Sequence, residues 1–68
     1  MKIRDIIDIE IRRYRLHNML MPSYIVINRD AYFTLKEEVG YSFDQEITLF
    51  AGCDMLVTMD LKMEINVM

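Results

Sequence analysis

MKIRDIIDIEIRRYRLHN, residues 1–18, reads two ways, and the choice between them decides the fold. Ile7, Ile9 and Ile11 alternate with Asp8, Glu10 and Arg12, the period-two pattern of a strand. Ile3, Ile7, Ile11 and Tyr14 also recur at helical spacing, with Ile6, Ile9 and Leu16 on an adjoining stripe. Periodicity over residues 6–16 leaves both open. Charge order favours the helix: Asp5, Asp8 and Glu10 come early, and Arg12, Arg13, Arg15 and His17 come late, as a helix dipole prefers. Asp8 and Arg12 stand four apart with the acid first, the better orientation for a pair on a helix. Asn18 suits a left-handed cap, and Pro22 follows soon after. The reading is a helix over 2–17. Its apolar arc is wide enough to touch its own sheet and something else.

Beyond this helix, Ser23-Tyr24-Ile25-Val26-Ile27-Asn28 reads as a short strand, apolar on both faces and therefore central. Asn28 or Asp30 offers an N-cap to a second helix over 29–39, with Tyr32, Leu35 and Val39 as its inner stripe and Gly40 at its C-terminal stop. Residues 40–46 form a loop in which Tyr41 and Phe43 either fold back on the core or stand out for contact. Three strands follow, over 47–51, 53–59 and 62–68. Ala51–Gly52 serves as a tight turn or bulge, and Asp60 marks a reversal. In the last strand Met63, Ile65 and Val67 alternate with Lys62, Glu64 and Asn66, as in a half-buried edge strand. The expected fold is α+β in the order α-β-α-β-β-β. Two helices pack on a small, mostly antiparallel sheet in one domain, 1–68.

A chain of 68 residues, 53% apolar, supports one small core. It buries only about 60% of its unfolded surface, so a lone copy should be thinly stable. Cys53 is the only cysteine and His17 the only histidine, so neither a disulfide nor a zinc site can supply the missing stability. A second subunit is the remaining staple, and seven methionines suit an adaptable contact surface. The mixed charge of the first residues is unlike a secretory signal, and no apolar run approaches the ~20 residues of a membrane span. The lone cysteine points to a reducing, cytoplasmic setting.

Candidate chemistry is sparse. His17, between Leu16 and Asn18, reads as a cation at a helix end. Cys53 lies beside Asp54, whose charge disfavours a thiolate, so it reads as a buried apolar side chain. Glu37 and Glu38 diverge on a helix, and with Asp44 and Glu46 they read as a solvated acidic face. Gly40 and Gly52 are the only glycines, which excludes a phosphate-cradling loop. The sequence therefore predicts no catalytic residue, cofactor or metal. An enzyme or ligand carrier would need a closed pocket lined by convergent polar groups.

Charge is unevenly spread. Residues 1–20 hold five basic and three acidic side chains, and the rest hold three basic and eight acidic, for a net charge of -3. Arg12, Arg13 and Arg15 are thus candidate contacts, with Tyr41 and Phe43, for an acidic protein surface such as a second copy. They are also the only residues on which a nucleic-acid-binding reading could rest, and a sequence pI near 4.9 stands against it.

The run Pro22-Ser23-Tyr24-Ile25-Val26-Ile27-Asn28, the helix bearing Tyr32 and Leu35, and Leu49-Phe50-Ala51-Gly52-Cys53-Asp54-Met55-Leu56-Val57-Thr58 together resemble a segment of tailed-phage major capsid proteins. In that family a long helix leads to a strand ending near Asn, then a short helix, then a strand with a phenylalanine-glycine turn and another strand. The resemblance runs over roughly residues 3–60. Capsid subunits are several times longer and usually have Pro where Asp54 stands, and Thr58-Met59-Asp60 matches the following turn only loosely. What the resemblance implies is a small phage or prophage protein that shares a capsid-like core element. Such a protein would be a structural accessory, or a decoy for capsid or host proteins. The function expected is a non-catalytic, self-associating interaction module. The alternative is a nucleic-acid-binding accessory that uses the basic end of the first helix.

Overall fold

The structure is a computed structural model that describes residues 1–60, 62 and 65–68. Its elements are helix α1 (Ile3–Asn18), strand β1 (Tyr24–Asn28), helix α2 (Arg29–Glu38), and strands β2 (Leu49–Phe50), β3 (Cys53–Thr58) and β4 (Ile65–Val67). This is the α+β arrangement that the sequence predicts.

The helical reading of the first segment holds. Asp5 lies in the first turn of α1 and Arg15 and His17 in the last, while Asp8 and Arg12 pair at 2.7 Å. That pair is exposed and contributes only about 0.3–0.5 kcal/mol. The left-handed residue is Met19 (φ 59°), not Asn18. The Asn18 amide donates back to the Tyr14 carbonyl (3.0 Å), so the helix runs one residue further. The Met19 N–H then closes it on the Arg15 carbonyl at 2.9 Å. At the other end of the helix, Asp5 accepts from the Lys2 N–H, and Glu38 of α2 accepts from the Ile3 and Arg4 N–H groups at 2.7 and 3.1 Å. One helix thus caps the next, where sequence reading placed Glu38 on a solvated face.

Asn28 caps α2 by accepting from the Ala31 N–H at 2.8 Å. At the C-terminal end Gly40 is left-handed (φ 79°). The Gly40 and Tyr41 N–H groups return to the Glu37 and Lys36 carbonyls, the paired bonds of a Schellman stop.

The sheet order is β2-β3-β1-β4. β1 is central, as expected. It pairs antiparallel with β4 but parallel with β3, from Tyr24↔Asp54 to Asn28↔Thr58. The sheet is therefore mixed, with antiparallel pairs at both ends and a parallel pair across α2. β2 and β3 form a hairpin closing on Phe50↔Cys53. Ala51 (φ 52°) and Gly52 (φ 80°) fill a two-residue turn with both φ positive, as a type I′ turn requires.

β2 is shorter than the predicted 47–51. Ile47 leaves the strand to enter the core, and its N–H is taken by the Tyr32 hydroxyl at 2.8 Å. β4 occupies a sheet edge, with Val67 buried and Asn66 exposed. The expected positions Met63 and Glu64 lie outside the described residues.

Alternation along the strands sorts their side chains between two faces. Ile25, Ile27, Cys53 and Val67 face the helices and bury against Ile7, Ile11 and Leu35. Tyr24, Val26, Leu56, Asn66 and Met68 share the opposite face by register, with Leu49 and Asp54 beside them. Neither α1 nor α2 covers that face.

Candidate functional site

The candidates for chemistry are dispersed. Cys53 is fully buried, and its thiol donates to the Pro22 carbonyl at 3.3 Å. Burial, seconded by the charge of Asp54, pushes its pKa up, so the reactive thiolate is disfavoured. His17 is exposed at the end of α1. A shallow hollow of about 210 Å³ brings it near Glu10, but that carboxylate is engaged by Arg13 at 3.4 Å. Among the described residues, no three His, Cys, Asp or Glu side chains gather where a metal could bind, and no buried side-chain nitrogen or oxygen lacks a partner.

The five predicted contact residues do not form one patch. Arg12 and Arg13 pair with Asp8 and Glu10 on their own helix, while Arg15 has no carboxylate within 4 Å among the described residues. Arg12 and Arg15 flank a groove of about 550 Å³ floored by Leu16, Met19, Leu20 and Met21. Pairing within the helix weakens the nucleic-acid reading, because two of its three arginines are already partly neutralised.

Tyr41 and Phe43 lie in the loop after α2. Phe43 is 86% exposed yet lies parallel to Phe33, ring centres 5.9 Å apart. Its carbonyl accepts from the buried Lys36 ammonium at 2.8 Å, and that ammonium sits 5.5–5.9 Å from the rings of Tyr32, Phe33 and Phe43. Lys36 fastens the loop through charge, aromatic faces and one carbonyl. Next to it, the Ser42 hydroxyl donates to Asp44 at 2.8 Å. That bond, with smaller contributions from a backbone hydrogen bond and the Lys36 charge, holds the Asp44 carboxyl below its usual value.

The surface sequence reading did not foresee is the open face of the sheet. Leu49 (61% exposed), Leu56 (45%), Tyr24 and Met68 are exposed there around half-buried Val26. Its signal was present in residues 53–58, whose apolar side chains fall on both faces of one strand. No family model, curated protein or solved structure matches the chain. No helix among the described residues is long and apolar enough to cross a membrane.

Proposed function

We propose that this chain is a non-catalytic protein-interaction module that associates with itself and serves as a small structural accessory, in a phage-associated setting. The uncovered sheet face carries the reading. A sheet face that meets water normally alternates to polar side chains. Here the sheet has helices on one face, and on the other the apolar Tyr24, Val26 and Leu56, with no helix over them among the described residues. The capsid-like order of elements supports the phage setting, with a capsid or host protein as the partner of the open face.

Light scattering over a micromolar concentration series tests the self-association. The expected mass lies above that of the 8.2 kDa chain and rises with concentration. A constant monomer would remove self-association from the proposal. For the open face, Leu56→Asp should abolish partner capture while leaving the circular dichroism spectrum unchanged. Capture at full strength would exclude that face.

A further inference from the structure

The two edges of the sheet are not alike. At the β4 edge, the Tyr24 and Met68 backbones exchange hydrogen bonds at 2.9 and 3.0 Å, so Asn66 and Met68 turn their backbones toward β1, and Ile65 and Val67 turn theirs outward. That outward edge is blunted. The Asn66 side chain accepts from the Val67 N–H at 3.1 Å, and α1 packs against β4.

The β3 edge is different. The Asp54 N–H donates to the Ser23 carbonyl at 2.9 Å, which fixes Asp54, Leu56 and Thr58 as the residues whose backbones face β1. Met55 and Val57 therefore face outward. Met55 is used, donating to the Thr48 carbonyl at 3.0 Å. Among the described residues Val57 has no such partner, because the preceding chain leaves the edge at Ile47 to reach Tyr32. From Val57 to Met59 no described residue pairs with this side of the strand. Val57 is 45% exposed and Met59 is 70% exposed. Beside this edge lies a hollow of about 330 Å³, bounded by Phe33, Ile47, Thr48, Met55 and Val57, with Arg29 and Glu46 at its rim.

We propose that two copies of the chain join antiparallel along this edge, about a twofold axis at Thr58, to make one continuous sheet of eight strands. This contact rests on the self-association proposed above and specifies its geometry. The spacing is self-complementary. With the axis at Thr58, Val57 of each copy lies opposite Met59 of the other. The pair exchanges backbone hydrogen bonds and carries β3 on through Met59. Paired residues point to the same face, so each Met59 side chain enters the neighbour's hollow beside Val57. A flexible thioether suits an irregular apolar recess. Asp60 ends the extended stretch: its N–H donates to the Thr58 hydroxyl and its side chain accepts from the Lys62 N–H. An interface of this kind is isologous and closes at two copies. It sets the two open faces side by side as one wider docking surface.

Directly opposed residues at a non-hydrogen-bonded position lie about 4.5 Å apart at Cα, within disulfide reach. Thr58→Cys should therefore link most chains into a disulfide dimer under mild oxidation. The wild type, whose only thiol is buried Cys53, and Leu20→Cys should not link. Met59→Asp should weaken the dimer about ten-fold or more by placing a carboxylate in the apolar hollow. Should Thr58→Cys fail to fold under reducing conditions, the mass of Met59→Asp decides. A wild-type dimer in which Thr58→Cys stays reduced and Met59→Asp keeps its mass would overturn the edge contact while leaving self-association intact. A monomeric wild type would overturn both.

Discussion

Glu38 ties the two helices together, and removing it should cost more than a surface glutamate normally does. Its carboxylate accepts from two N–H groups that have no partner within α1: Ile3 at 2.7 Å in a partly buried position and Arg4 at 3.1 Å in an exposed one. A bond to a charged acceptor contributes ~1.5 kcal/mol or more when shielded, and an exposed cap bond contributes ~0.5 kcal/mol. The sum is about 2 kcal/mol, a large share of the roughly 3–10 kcal/mol available to a chain of this length. Glu38→Ala should lower the unfolding midpoint by about 8–16 °C. Glu38→Gln keeps an oxygen acceptor but loses the charge, so about half the effect should remain. Thermal unfolding followed by circular dichroism measures both, at one fixed protein concentration, because self-association also shifts the midpoint. A Glu38→Ala stability within about 0.5 kcal/mol of wild type would show that water caps α1 equally well, and the reasoning would fail.

Three other perturbations read different parts of the structure. Tyr32→Phe leaves the buried Ile47 N–H without its acceptor and should cost about 1–3 kcal/mol in the same unfolding assay; a neutral result would mean the 46–48 segment re-pairs without it. Ala51→Gly relieves a left-handed alanine in the hairpin turn and should stabilise by roughly 0.5–1 kcal/mol; a loss of stability would contradict the turn geometry. Folding keeps Cys53 neutral by raising its pKa, so the stabilisation is whole below the ordinary value of 9.0 and disappears as pH rises through the higher folded value. Iodoacetamide at pH 8 should modify this thiol only as fast as the chain opens, and rapid stoichiometric labelling of the native protein would refute its burial.

Local signals gave most of the elements. The order of acids and bases in residues 5–17 settled helix against strand, Gly40 marked a real helix stop, and the alternation of Ile65, Asn66 and Val67 matched an edge strand. What escaped depends on residues distant in sequence. Glu38 acts on N–H groups about 35 residues away, and nothing in its own neighbourhood announces that. Lys36 looks like any surface lysine until Phe33 and Phe43 close on it. Ile47 reads as strand because its departure depends on the Tyr32 hydroxyl. The parallel β1–β3 pair was readable from the strand–helix–strand order of residues 24–58, which favours a crossover over a hairpin. The contact surface was sought in the arginines and loop aromatics, where charge and ring size draw the eye. The uncovered sheet face belongs to ordinary strand residues whose facing is set by register.

Sedimentation velocity on the unmodified protein, from about one to several hundred micromolar, tests the central claim most directly, because that range brackets ordinary self-association constants. The account predicts a single boundary that moves, with dilution, from a species of twice the 8.2 kDa chain mass toward the chain mass itself, without larger aggregates. One boundary at the single-chain mass throughout the series would contradict it.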